Sequence, residues 1–358
     1  IPEALSKDGV TILPYDSIYE YVKTFEKDMT VLLCKKKANC RLVNSIPKEV
    51  TILDEDNLTF LPKSIKNPVE VENERIAHIK DGVALTKFIC WLKKNVGKIT
   101  MTELSAGEKL YSFRAQQENF IDNSFDPIIS YGIHAAINHY SATPETDIAI
   151  EPGNFLLADT GGHYYEGTTD TTRTIVMGSV NDEQKKYFTA VLRGMLNLGN
   201  AKFRYGCTGV NLDYLARGPL WEMGQDFNHG TGHGVGYLLN VHEGPNSFRW
   251  RIIQGDNAVL EEGMITSDEP GYYVENQYGI RHENLLVCKK AEKTSFGQFM
   301  CFEHLTMVPF DLDAVVPELM TVQERALLNN YHAQVYKNIS PYLEEEEKEW
   351  LKEATREI

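Results

Sequence analysis

Four acidic residues of this 358-residue chain sit inside strand-forming, apolar segments: Asp159 in "FLLADTGG", Asp170 in "GTTDTTRTI", Glu269 in "MITSDEPGYY" and Glu283 in "GIRHENLLV". Taken singly, Asp159 beside Gly161-Gly162 and Glu269 beside Pro270-Gly271 read as turn residues. Asp170 and Glu283 resist that reading, because strand formers flank each of them and Arg173 or Arg281 is close by. The first two acids are eleven residues apart and the second two fourteen, which places each pair on one hairpin. If the hairpins share a sheet, four carboxylates converge. Two bare anions about 4 Å apart repel by about 4 kcal/mol at an effective dielectric of about 20. Such a cluster persists only if it is protonated or neutralised by cations. Two divalent ions supply the charge, and carboxylates with one imidazole suit manganese, cobalt, iron or zinc. Two such ions can share a water and lower its pKa enough to hold hydroxide at neutral pH.

The segment "NHGTGHGVGYLLNVHEGP", residues 228–245, can supply the imidazole. His229 and His233 have the spacing of two ligands on one helical face. Gly230, Gly232, Gly234 and Gly236 in the same run make it a poor helix, and the glutamate of H-E-x-x-H is missing. A glycine-rich strand or loop passing close to a metal fits better. A solitary histidine is more often a surface or hydrogen-bonded core residue than a ligand. Three in one glycine-rich run, beside the carboxylate set, favour ligation. His139, in "AAINHYSATPET", reads on its own as a turn histidine. With His242 it is also placed to donate to a developing oxyanion or leaving amine.

Asp159, Asp170, His233, Glu269 and Glu283, in that order and spacing, resemble the five metal ligands of the pita-bread metallopeptidases (peptidase family M24). That family includes methionine aminopeptidase, prolidase and aminopeptidase P. The resemblance covers about residues 73–355. "GTTDTTRT", "HGTGHGVGYLLNVHEGP", "DEPGYY" and "GIRHEN" are most similar to the cytosolic Xaa-Pro aminopeptidases. The resemblance implies that Asp159 is a bidentate ligand of one metal, that Asp170 and Glu283 bridge, and that His233 and Glu269 bind the other. It implies Glu269 as general base and His139 and His242 as substrate-binding and catalytic histidines. His229 then lines the pocket, and Arg281 and Tyr273 orient Asp159. His282 departs from the aliphatic residue usual in relatives, and its place beside a bridging ligand suggests an influence on metal affinity. The implied cofactor is two divalent ions, manganese first, with cobalt or zinc as alternatives. The implied substrate is a peptide with an N-terminal Xaa-Pro. Proline lacks an N–H and has a fixed φ, so it suits a specialised site. Three alternatives stand beside this reading: a prolidase confined to dipeptides, a metal-free binding module on the same fold, and a creatinase-like amidinohydrolase. All five ligand positions hold competent donors, which counts against the last two.

The rest of the chain supports an α+β fold, for which the resemblance implies an antiparallel sheet flanked by helices and preceded by a partial α/β domain. Strands are expected at 29–34 and 50–54, with a helix in "PYDSIYEYVKTFEK" between turns. "LPKSIKNPVEVE" (61–72) carries two prolines and reads as a boundary, giving a non-catalytic domain over 1–71 and a catalytic domain over 72–358. Ile76, Ile79, Val83 and Trp91 recur at helical spacing through 73–95, and Thr100 with Glu103 marks a second helix through Phe113. Asn181–Gln184 opens a third helix to about Phe203, a fourth covers 208–223, and Thr321–Glu324 opens the last. Strands fall between these pairs and at 263–290 and 299–309, so two related halves are suggested. The net charge of −15 argues against nucleic-acid binding. Six scattered cysteines without a CxxC pair suggest reduced thiols in the cytoplasm. No run approaches a membrane span, which needs about 20 apolar residues. The Ile-Pro-Glu start suggests a fragment of a longer protein. A homodimer is compatible with the resemblance, and the acidic "EEEEKEWLKEATREI" tail is expected to be a solvated helix without a functional role.

Overall fold

The structure, a computed structural model, describes residues 3–253 and 255–358. Contacts divide the chain between Pro62 and Lys63. The smaller unit comprises α1 (Glu3–Lys7), α2 (Ile18–Val22), β1 (Thr30–Leu32), α3 (Cys40–Ser45) and β2 (Thr51–Leu53). β1 and β2 pair in parallel, with Val31 opposite Ile52, over a small core of Val22, Ile46 and Val50. The helix expected across "PYDSIYEYVKTFEK" is shorter than its pattern, a 3-10 turn at Tyr15–Ser17 running into α2. A further turn, α4 (Phe60–Ser64), spans the division in sequence.

The larger unit opens on α5 (Pro68–Asn95), which begins ahead of the apolar periodicity. Asn67 accepts from the N–H groups of Val69 and Glu70, Glu70 accepts from the N–H of Asn67, and Pro68 takes the first turn, where no N–H is needed. One of the two prolines read as a break therefore starts a helix. The buried face is also displaced. Ile76 is exposed, whereas Glu74, His78 and Asp81 are buried along with Val83, Leu85 and Phe88. Asp81 can turn inward because Arg114 of α6 (Glu103–Arg114) pairs with it at 2.7 Å. α6 starts at Thr102, with Ser105 completing its capping box, and not at Thr100. Glu103 is instead buried, accepting from the Tyr131 N–H and facing His134 Nδ1 at 2.9 Å.

Two three-stranded antiparallel sheets follow. β3 (Phe120–Asn123) pairs with β6 (Gly162–Tyr164), and β6 with β7 (Gly167–Thr168). β5 (Asn154–Thr160) lies between β4 (Ile128–Tyr131) and β8 (Thr171–Met177). On β5, Leu156 and Ala158 pack with Leu85, Phe88 and Leu92 of α5 and Leu110 of α6. Phe155 and Leu157 join other clusters. Asp159 continues this second series and so leaves the strand on the face away from α5 and α6.

α7 (Asp182–Gly199) has the Asn181–Gln184 cap that the sequence announces. It stops short of Phe203 because β9 (Lys202–Arg204) pairs with the strand Gly297–His304. The fourth helix is two pieces, α8 (Gly209–Leu212) and α9 (Tyr214–Trp221), broken at Asp213. The Asp213 carboxylate is engaged by Thr231 Oγ1 at 2.6 Å and Arg217 Nε at 2.8 Å. The glycine-rich segment forms the two-residue β10 (Gly232–His233), paired with β11 (Ser247–Phe248). The second set of strands is β12 (Ile265–Asp268), β13 (Gly271–Val274), β14 (Tyr278–Arg281), β15 (Asn284–Thr294) and β16 (Gly297–His304). β12, β15, β16 and β9 form one antiparallel sheet, while β13 and β14 pair separately. α10 (Val322–Ile339) starts at the expected Thr321–Glu324 box. The acidic tail forms α11 (Glu345–Ala354), which is anchored and not fully solvated, since Leu351 is buried. This is the α+β pita-bread fold. Among the described residues, no helix is long and apolar enough to cross a membrane.

Close backbone approach explains the glycine of β10. A Cβ on Gly232 would lie 1.8 Å from the Ser267 carbonyl oxygen of β12. Gly232→Ala should therefore destabilise the fold by about 1–3 kcal/mol. Gly107 of α6 meets only Ile129 Cγ1 at 3.7 Å, so Gly107→Ala should stabilise by roughly 0.5–1 kcal/mol. Urea unfolding of both variants checks the contrast, and a Gly232→Ala protein as stable as wild type would contradict it.

Candidate metal centre

Strand register delivers each donor. Asp159 stands opposite Thr172 on β8, and Asp170 lies one residue before β8 begins. Asp268 pairs with Asn284 across β12 and β15, so Glu269 and Glu283 follow as neighbours at the ends of those strands. The four carboxylates do not share one sheet, as the hairpin spacing suggested. They meet at a seam between two sheets, closed by the Glu283 N–H donating to the Thr172 carbonyl at 3.0 Å. Glu269 is held by its own N–H on the Thr231 carbonyl at 2.8 Å. Asp268, its neighbour, alternates to the other side of β12 and faces Gly199.

His233 enters from β10. Its N–H donates to Ser267 Oγ at 3.0 Å, and its Nδ1 lies 3.0 Å from the Gly234 carbonyl. A carbonyl only accepts, so Nδ1 carries the proton and Nε2 presents its lone pair. That Nε2 lies 3.4 Å from Glu269 Oε1 and 3.5 Å from Asp170 Oδ2. Two ligands held about 2.1 Å from one ion at a tetrahedral angle are about 3.4 Å apart. Donor atoms of Asp159, Asp170 and Glu283 form one group lying within 4.8 Å of one another, and those of His233, Glu269 and Glu283 form another. Asp170 also groups with His233 and His242 at the same separation, so Asp170 and Glu283 belong to both sides. The donor set fits two divalent cations, and one orphan atom supports the fit: Asp159 Oδ1 is buried without a hydrogen-bond partner.

The other expected residues surround this cluster. Arg281 Nη2 donates to Asp159 Oδ2 at 2.5 Å and Nη1 to the Tyr273 hydroxyl at 2.8 Å. Among the described residues, Tyr273 reaches Asp159 through that guanidinium. Its hydroxyl lies 2.9 Å from His229 Nε2, while His229 Nδ1 donates to the Gly230 carbonyl at 2.8 Å. Burial and then the Arg281 charge lower the His229 pKa to about 3. His139, in the turn after the 3-10 segment Gly132–Ala136, and His242 line the same cavity of about 520 Å³ as the carboxylates. The His242 ring stands edge-on to His233 at 4.2 Å between centroids, and burial followed by the neighbouring His233 lowers its pKa to about 4. His282 is not part of the centre. It is fully buried edge-on against Phe188 at 4.3 Å, with Phe310 at 5.6 Å, so the expected influence on the metals has no contact to act through.

Two hydroxyls escaped the sequence reading. Thr172 Oγ1 donates to Glu283 Oε2 at 2.8 Å and accepts from Arg281 Nε at 3.3 Å. Ser267 Oγ donates to Glu269 Oε1 at 3.0 Å. Ser267 stands two residues before Glu269 and shares its face by strand alternation, a signal that was readable. Thr172 needed the β5–β8 register.

Three family profiles match end to end: the Creatinase/Prolidase N-terminal domain over residues 1–70, metallopeptidase family M24 over 72–290, and the C-terminal region of peptidase M24 over 298–358. The chain belongs to metallopeptidase family M24. Similar curated relatives of this M24 chain include the probable Xaa-Pro aminopeptidase P of Paracoccidioides brasiliensis, 43% identical across 98% of this chain and 60% of that protein. That of Arthroderma otae is 39% identical across 100% and 60%. Among solved structures, the X-prolyl aminopeptidase of Caenorhabditis elegans, described as a cytosolic enzyme with a di-nuclear active site, aligns with TM-score 0.92 and 34% identity. That alignment covers 99% of this chain and 59% of that one. Prolidase from Pyrococcus furiosus aligns with TM-score 0.64 and 26% identity over 83% and 80%. The M24 chain thus spans about 60% of the length of the curated relatives it matches.

Burial, then the mutual repulsion of the acids, pushes the carboxyls of Asp170 and Glu283 well above the usual range. A carboxyl with a raised folded-state pKa stabilises the fold below its unfolded pKa, and that contribution is lost as pH rises through the folded pKa. In chelator, wild type should therefore lose thermal stability relative to Asp170→Asn as pH rises above about 4. The buried histidines titrate with the opposite sign in both proteins and drop out of the difference. Thermal unfolding from pH 4 to 8 measures it, and a difference that does not grow with pH would refute the reading.

Proposed function

We propose that this chain carries the catalytic centre of a dinuclear metal-dependent aminopeptidase that releases the N-terminal residue from peptides with proline in second position. The observation that carries the proposal is the pair of overlapping donor groups, Asp159/Asp170/Glu283 and His233/Glu269/Glu283, facing one cavity. Asp159 would hold one ion, His233 and Glu269 the other, and Asp170 and Glu283 both. Manganese is the first expectation, with cobalt or zinc as alternatives. When bound, the two ions supply positive charge for the scissile carbonyl and acidify the attacking water.

The chain's own groups account for the remaining work. Glu269, its pKa raised by burial, is suited to accept a proton from that water while Ser267 keeps its carboxylate oriented. Arg281 fixes Asp159 so that Oδ1 stays turned toward the cluster. His242, uncharged at neutral pH, offers a single N–H at the cavity, and His139 a second ring lining it. Phe125 and Ile128 give the cavity an apolar patch, which suits a prolyl ring that lacks an N–H. The names of the curated relatives and of the Caenorhabditis elegans structure support the Xaa-Pro preference. A cytoplasmic setting is proposed from six free cysteines and the cytosolic description of that enzyme.

The purified protein should hold about two divalent ions per chain, read by elemental analysis after mild dialysis. Protein with no bound or restorable metal would sink the proposal. Asp170→Ala and Glu283→Ala should abolish turnover in a folded protein, and Glu269→Gln should lower kcat by about 10²–10⁴-fold. Comparing an Xaa-Pro peptide, an Xaa-Pro dipeptide and a Met-Ala peptide, each with manganese, cobalt and zinc, tests the specificity. Preference for the Met-Ala peptide would overturn it.

A further inference from the structure

The segment that the sequence marks as a boundary has a use inside the larger unit. Ile65 forms an antiparallel bridge with Met264, the Lys66 N–H donates to the Gly263 carbonyl at 3.0 Å, and Asn67 caps α5. Lys66 is therefore fixed between a strand edge and a helix start. Its side chain turns inward and is buried. Nζ donates to the Val235 carbonyl and lies 3.4 Å from that of Ser64. Among the described residues no carboxylate pairs with it. Burial lowers its pKa, and the charges of Glu243 and Glu74 offset part of that effect. Burying an ammonium is costly, and an apolar side chain of the same length would not incur that cost.

Val235 opens the loop that carries His242. The loop closes on itself through the Gly236 N–H on the Asn240 carbonyl at 3.0 Å and the Glu243 N–H on the Gly234 carbonyl at 2.7 Å. At its tip Leu239 and Asn240 have φ of 65° and 55°, the left-handed region that non-glycine residues enter at a cost. The His242 ring meets His233 edge-on, and among the described residues no hydrogen bond holds it. Apart from that contact, its place in the cavity is set by the backbone of the loop. Three side chains from one short stretch hold that backbone: Lys66 on Val235, Asn73 Nδ2 on the Tyr237 hydroxyl at 2.9 Å, and Lys63 Nζ on Glu243 Oε2 at 2.6 Å. The Lys63 side chain is 54% exposed and its ion pair is screened, whereas Lys66 is buried. We infer that Lys66 is a positioning residue: its ammonium fixes loop 234–243 at the Val235 carbonyl and so sets where the His242 ring meets the substrate. The inference rests on the proposed peptidase reading. Lys66 does not itself line the cavity.

Lys66→Met keeps the length of the side chain and removes the donor. With Ala-Pro-Ala amide as substrate it should lower kcat/KM by about 10–100-fold, the loss that a displacement of about 1 Å can bring. In a His242→Ala background the same substitution should change kcat/KM by less than about twofold, because the group it places is gone. Equal losses in both backgrounds, or no loss in the first, overturn the inference. Bound metal should stay at the wild-type level, since the His233 N–H has its own partner in Ser267; a fall in metal would trace the loss to His233 and overturn it too. Hydrogen exchange supplies a readout independent of activity. The Gly236 and Glu243 amides should exchange about tenfold faster in Lys66→Met, while those of Thr231 and Glu269, bonded outside the loop, keep their rates. No acceleration, or equal acceleration of all four, counts against a local role and overturns the inference. Should Lys66→Met fail to fold, Lys66→Gln, whose shorter side chain stops short of the carbonyl, carries the same measurements. If wild type does not cleave the peptide, the peptidase reading fails, and the exchange measurement alone decides whether Lys66 fixes the loop.

Discussion

The cost of crowding anions governs the larger unit. Asp170, Glu269 and Glu283 lie deep enough for burial to be the largest influence on each, and every one of them also feels its acidic neighbours. One guanidinium, Arg281, enters the cluster by contacting Asp159. One charge cannot balance four, so the site is arranged around positive charge that must come from outside the chain. That need explains the hydroxyl donors, the fixed imidazole tautomer and the oxygen left without a partner. Each keeps a donor atom aimed at a shared centre and prevents it from finding another partner.

The scaffold holds this arrangement mostly through hydrogen bonds to neutral acceptors. Arg173, fully buried, donates to the carbonyls of Thr172, Glu283, Val308 and Pro309, to Asn284 Oδ1 and to the Tyr331 hydroxyl. No carboxylate pairs with it among the described residues, and its pKa falls through burial. It therefore ties the strands of the centre to the segment before α10 without a further carboxylate. A carboxylate partner at that place would have added a fifth anion behind the four carboxylates of the cluster. Glu103 has a comparable part farther out, where it orders the turn leading to His139 through Tyr131 and His134.

Much of this was legible in the sequence because it depends on residue type and order. Acids inside apolar strands, and a histidine among glycines too numerous for a helix, marked the five donors that the fold brings together. The caps at Asn181 and Thr321 were legible for the same reason, since a cap is a local contract within four residues. What escaped depends on partners distant in sequence. Pro68 is the exception, a residue of a local Asn67–Glu70 cap whose sequence signal is masked by the tendency of proline to break helices. α7 was drawn too long because β9 exists only by pairing with β16. The influence on metal affinity expected of His282 rests on adjacency to Glu283, yet consecutive residues on an extended chain point to opposite sides. Thr172 needed a register that the sequence does not state.

The seam between the two sheets has a mechanical implication. Asp159 and Asp170 come from the β4–β5–β8 sheet and Glu269 and Glu283 from the ends of β12 and β15, and the Glu283 N–H on the Thr172 carbonyl joins the two sheets at the centre. Side chains of Thr172 and Arg173 on β8 reinforce the join, through Glu283 Oε2, the Glu283 carbonyl and Asn284 Oδ1. Ions shared by Asp170 and Glu283 would work as rivets through both sheets, so occupancy and alignment become one property. A peptide's reacting carbonyl would then be registered against two halves of the fold whose relative placement the ions themselves complete.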